Sequence, residues 1–136
     1  MSPDPLLVVD GANVVGSRPD GWWRDRAGAA ARLHARLAAA RAAGRLGTVR
    51  VVLVLEGRAR PGVAAGDVAG VEVVHASGLG DDDVVRRAAA AVRDGATPTV
   101  VTADRELATR VERVGAAVAR PGWLLDRLED PGASDG

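Results

Sequence analysis

Six acidic residues of this 136-residue chain fall where chemistry could use them together. Asp10 ends the apolar run LLVV, Glu56 ends VRVVLVL, Asp81, Asp82 and Asp83 open a helical stretch, and Asp104 follows VVTA. Singly, each has a plain structural explanation. Asp10-Gly11 is common turn chemistry, Asp81 to Asp83 would complement a helix dipole, and Asp104 would cap the helix after it. Gathered at one edge of a sheet, however, they set like charges side by side, which is costly unless a cation neutralises them. The chain has no cysteine and two histidines, and neither His34 nor His75 has partners at metal-ligand spacing. The donor set is therefore oxygen, which suits Mg²⁺ or Mn²⁺ held by a few carboxylates plus water. Such an ion can activate a water for attack on a phosphodiester and steady the leaving oxygen.

These acids share an edge only if the elements before them are parallel strands. Residues 6–9, 49–55, 71–74 and 99–102 are short, apolar runs without alternation, as in strands buried on both faces; residues 117–119 make a weaker fifth. Between them, residues 23–43, 82–93, 105–114 and 121–128 read as helices. Ala30, Leu33, Leu37 and Ala40 recur at helical spacing with Gly44 as the stop, and Pro121 suits a first turn. In the second helix Val85, Ala88, Ala89 and Val92 form the expected inner face. Residues 57–70 read as a loop with a short helical turn. Strands alternating with helices give an α/β fold, a parallel sheet with helices on both faces, whose ligands collect at the carboxyl ends of the strands. One domain over residues 1–128 is expected, with a disordered tail at 129–136.

Composition removes several mechanisms. All 18 basic residues are arginine. Without lysine, a Walker-type phosphate loop, Schiff-base chemistry, and receiver-type or haloacid-dehalogenase-type sites, which normally use a lysine, are all disfavoured. Net charge is zero, so attraction for a polyanion must be local. MSPDP is not a signal peptide, and no apolar run approaches the ~20 residues of a membrane helix; a cytoplasmic protein without membrane association is expected. The Gly-x-Asn-x-x-Gly of Gly11 to Gly16 is a poor dinucleotide clasp. Asn13 replaces the middle glycine, residues 17–21 break the chain where a phosphate-binding helix should start, and Glu56 comes too late for the ribose. HASGLG around Ser77 is not a serine-hydrolase elbow.

Asp-Gly-x-Asn after the first strand (Asp10, Asn13), Asp-Asp-Asp at a helix start, and Thr-x-Asp-Arg-x-Leu (Thr102, Asp104, Arg105, Leu107) together resemble the PIN-like nuclease superfamily. The resemblance is greatest to its NYN branch, the bacterial YacP-like group of predicted ribonucleases. It spans residues 6–118, most strongly VVTADREL, then VDGANV. It implies a three-layer PIN-like fold, a central parallel sheet in the order 3-2-1-4-5 flanked by helices, and metal-dependent hydrolysis of RNA. It makes Asp10, Asp82 and Asp104 metal ligands and Asn13 a residue that orients ligand or phosphate. Asp81 competes with Asp82, since Asp81/Val84 and Asp82/Val85 fit the same acid-x-x-apolar spacing. Asp82 is preferred because Val85 continues into Ala89 and Val92. Glu56 stands where relatives often carry aspartate, and would reach the ion through water.

Thr102 and Arg105, with Arg18 and Arg58, are the candidates for gripping substrate. Arg24, Arg26 and Arg60 are further phosphate-binding candidates; as the chain's only cation, arginine serves equally as a solvated surface residue. Trp22 and Trp23 could stack on a base, though packing onto the sheet is the commoner role, and Trp123 with Leu124, Leu125 and Leu128 reads as core. The expected function is a Mg²⁺/Mn²⁺-dependent endoribonuclease acting on single-stranded or structured RNA, as a possible homodimer or with a protein partner. A non-catalytic RNA-binding scaffold, a nuclease toxin and a nucleotide phosphohydrolase are the alternatives.

Overall fold

A computed structural model describes residues 5–18 and 20–129. Its chain order is β1 (Pro5–Asp10), α1 (Gly11–Val15), a 3-10 turn (Trp22–Arg24), α2 (Arg26–Ala42), β2 (Arg50–Leu55), a second 3-10 stretch (Gly57–Gly62), β3 (Gly66–Val68), β4 (Val71–His75), α3 (Gly80–Arg93), β5 (Thr97–Val101), α4 (Arg105–Arg113), β6 (Ala117–Ala119) and α5 (Pro121–Leu128). The expected tail lies, apart from Glu129, outside the described residues. Among the described residues no helix is long and apolar enough to cross a membrane.

The sheet runs β3-β4-β2-β1-β5-β6. Its five parallel strands keep the expected 3-2-1-4-5 arrangement; the difference is β3, which adds an antiparallel edge to β4. This strand hides in a Gly- and Pro-rich segment and is mostly exposed, so it has no apolar run to betray it. Its hairpin turns through Ala69 and Gly70, both at positive φ (52° and 83°), as a two-residue primed turn requires. Two buried or half-buried imidazoles hold it. His34 Nε2 donates to the Val68 carbonyl at 2.9 Å, and His75 Nε2 donates to that of Val63 at 2.7 Å.

Side chains alternate across each strand, and this decides which way the acids face. Leu7, Val9, Leu53 and Val101 enter one core, beneath α1, α2 and α5. Leu6, Val8, Val52, Val54 and Val100 enter the other, beneath α3 and α4. Continuing the period, Asp10, Glu56 and Thr102 belong to the α3/α4 side. Helix α3 packs there through Val84, Ala88 and Ala91; of the expected inner face Ala88 is buried, but Val85, Ala89 and Val92 are not. Those three are only partly buried. The expectation is thus off by one residue, about 100° of helix rotation. Trp123 also departs from it: α5 buries Leu124, Leu125 and Leu128, while Trp123 is 37% exposed beneath the Arg127 guanidinium, 4.2 Å from its ring centre.

Candidate metal centre

Asp10 is the last residue of β1, the strand with partners on both sides, β2 and β5. Its side chain is only 6% exposed. Oδ2 accepts the Thr102 hydroxyl at 3.0 Å, and Oδ1 accepts the Asn13 N–H weakly at 3.4 Å as α1 starts. Among the described residues no ion pair offsets its burial. Loss of hydration therefore pushes its pKa from 3.8 to about 6. The two hydrogen bonds pull against that rise, while Asp81 and Glu56 add to it by repulsion.

The other strand ends complete the cluster. Asp104 caps α4, its Oδ1 accepting the N–H groups of Glu106 and Leu107 at 2.9 and 3.1 Å. Its own N–H donates to Thr102 Oγ1 at 3.1 Å, so one hydroxyl ties the backbone of Asp104 to the carboxylate of Asp10. Asn13 Oδ1 accepts the Ala103 N–H at 2.9 Å, fastening α1 to the same loop. Glu56 accepts the N–H of Gly80 and so fixes the start of α3, next to Asp81. Asp81 is half-buried, and its pKa is raised first by desolvation and then by Asp104 and Glu56, with Arg110 opposing. Asp10, Glu56, Asp81 and Asp104 thus share one electrostatic environment.

Asp82 stands apart. Because Val84 rather than Val85 faces the core, the inward turn of α3 carries Asp81. The Asp82 side chain is 64% exposed and accepts from Arg110 at 2.9 Å. Asp83 pairs with Arg86. Gly11 also has a role the sequence conceals. It is the first residue of α1 at ordinary φ, and a Cβ there would lie 2.7 Å from the Val54 carbonyl oxygen. Its absence permits close approach to β2 rather than a sharp turn.

Arg18, Arg58 and Arg105 are all exposed. Trp22 is half-buried and Trp23 is 51% exposed, their rings edge to face with centres 6.1 Å apart. Among the described residues no group of three or more His, Cys, Asp or Glu side chains forms a ready ligand set for a metal ion. The donors nevertheless fit a hard divalent cation in kind, since Mg²⁺ needs one or two carboxylates and keeps several waters. The uncompensated Asp10, repelled by Asp81 and Glu56, is the observation that such a cation would explain.

Solved structures that match this architecture include Rae1 (YacP) from Bacillus subtilis and a tryptophan-to-leucine variant of it. The first superposes with a TM-score of 0.70 over 90% of this chain and 72% of its own. The second gives 0.68 over 94% and 75%. The chain has the fold of YacP. Identity to Rae1 (YacP) is 22% in both cases, so the likeness establishes the fold alone. No family model matches the chain, and no curated protein matches it.

Proposed function

We propose that this protein is a Mg²⁺- or Mn²⁺-dependent ribonuclease of the NYN/PIN-like type. One observation carries the reading. A buried carboxylate, Asp10, ends the central strand among Asp81, Glu56 and the Asp104 loop, its pKa driven up to about 6 by desolvation and by neighbouring acids. Stability alone would not select that arrangement. Burial raises the cost of the charge, and like charges compound it.

Asp10, Asp81 and Asp104 would hold the ion, with Glu56 beside them. Bound there, a divalent cation would supply the Lewis acidity that lets water attack a phosphodiester. The chain's own groups do the positioning. Thr102 holds Asp10 Oδ2 through its hydroxyl and holds the Asp104 backbone through the same oxygen. Asn13 keeps the 102–104 loop against α1, and Glu56 keeps the α3 start, and so Asp81, in register with β2. Arg105, exposed in the first turn of α4, is available to a phosphate.

Cleavage of labelled RNA and DNA in Mn²⁺ or EDTA, comparing wild type with Asp104→Asn, tests the reading. Metal-dependent cleavage of RNA that Asp104→Asn abolishes is expected. Oligonucleotide binding without cleavage in any divalent metal would instead assign the fold to an RNA-binding scaffold.

A further inference from the structure

The acids occupy only one end of a longer surface. Gly11 and Ala12 on one side and Glu56 on the other border a small depression of about 50 Å³ that also contains Val15, Trp22 and Arg26. The Arg26 guanidinium lies 5.4 Å from the centre of the Trp22 ring. Beyond Val15, which lines both, a larger cleft of about 250 Å³ opens between α1, α2 and α5. Arg18, Arg32 and Arg36 line it, with Asp20 the one acid.

Among the described residues, nothing in the cleft neutralises these arginines by an ion pair. Arg32 and Arg36 are exposed and one turn apart on α2, and like charges at that spacing destabilise a helix. Three arginines elsewhere are paired with acids: Arg86 with Asp83, Arg87 with Glu72, Arg110 with Asp82. Among the described residues, no ion pair joins Arg18, Arg32 or Arg36 to any carboxylate. In a chain of zero net charge, such a cleft is a local attractor for a polyanion.

We infer that single-stranded RNA crosses α1 at Val15, with one nucleotide against Trp22 and Arg26 and the neighbouring phosphates on Arg18, Arg32 and Arg36. An aromatic face followed by a cationic groove is the arrangement by which single strands are held without sequence readout. A duplex would not present a base face to Trp22, so the track selects unpaired RNA. The inference rests on the ribonuclease reading for its direction, because the track leads to the acid cluster at Glu56 and Gly11.

The test is binding of a short, labelled single-stranded RNA in EDTA across a salt series, using the full chain. The variants are Arg32→Gln/Arg36→Gln and, as a charge-matched control, Arg93→Gln/Arg113→Gln on the opposite helix layer. All four positions are exposed, and melting temperatures confirm folding. Loss of two phosphate contacts predicts about tenfold or more weaker binding and a salt slope shallower by about 1.4 for the first pair alone. The same duplexed RNA should bind more weakly than the single strand. Equal effects from both pairs, or none from the first, would overturn the track. RNA cleavage that persists with Arg32→Gln/Arg36→Gln at wild-type kcat/KM would also overturn it, leaving the nuclease reading intact. Arg32/Arg36-dependent binding without cleavage would support the track while overturning the nuclease reading.

Discussion

Replacing Asp10 by asparagine should stabilise the metal-free protein at neutral pH. The carboxyl has a pKa of about 6 when folded, against 3.8 for an ordinary aspartate. The folded state therefore holds its proton more tightly. Below pH 3.8 the group costs nothing, the cost accrues as pH rises from 3.8 to about 6, and it is complete above that. A shift of this size corresponds to about 3 kcal/mol. The asparagine amide has one acceptor oxygen where the carboxylate has two, so it keeps only one of the bonds from the Thr102 hydroxyl and the Asn13 N–H, and that loss returns about 1 kcal/mol. A net gain of about 2 kcal/mol at pH 7.5 remains. For a domain this size it raises the melting temperature by about 5–10 °C. Urea unfolding in EDTA at pH 4.5, 6 and 7.5 measures it: the advantage of the variant should grow with pH and level off near 7. A difference that does not change with pH, or a variant less stable than wild type at pH 7.5, would refute a destabilised Asp10 carboxylate. Nuclease activity should vanish in the same variant.

Saturating Mn²⁺ should stabilise wild type, by about 2.7 kcal/mol at a hundred times its dissociation constant. Thermal-shift titration should show that gain retained in Asp82→Asn and lost in Asp81→Asn. The gain should also shrink below pH 6, where Asp10 takes up its proton. Thr102→Val keeps the shape but removes the hydroxyl between Asp10 and the Asp104 N–H. It should cost about 1–3 kcal/mol in urea unfolding and move the pH midpoint of the Asp10 effect above 6, because the bond that lowers its pKa is gone. Gly11→Ala puts a methyl 2.7 Å from the Val54 carbonyl and should cost about 1–3 kcal/mol, with an unchanged denaturant m-value.

The parallel core of the fold is legible because buried strands announce themselves. LLVV and VVLVL have no polar face, and Gly44, Gly95 and Gly115 stop the helices before them. What escapes is structure made of few residues or held by backbone contacts. Helix α1 has five residues, too short for a periodicity. Strand β3 is three residues long and mostly exposed, specified by positive φ at Ala69 and Gly70 and by two histidine bonds to carbonyls. Asp67-Val68-Ala69-Gly70, with the Asp67 side chain accepting the Gly70 N–H, is the local signal that marks this turn.

At the candidate site, legibility follows the difference between strands and helices. An acid that ends a buried strand is aimed by a period of two, and Val8 and Val54 fix the direction of Asp10 and Glu56 without ambiguity. An acid in a helix's first turn is aimed by which later residues touch the sheet. In DDDVVRRAAAAV two adjacent valines and four alanines allow two faces one residue apart. Alanine is small enough to lie on either, so hydrophobicity could not choose. Charge could have. Placing Val84, Ala88 and Ala91 inward leaves Asp82 free to meet Arg110 of α4 and turns Asp81 toward Asp104 and Glu56. The outward acid bonds the arginine, whereas on the inward one the repulsion of Asp104 and that of Glu56 each outweigh that arginine's pull. A carboxylate held where its neighbours repel it is poorly explained by stability, and that is the stronger reason to assign Asp81, rather than Asp82, to the proposed metal.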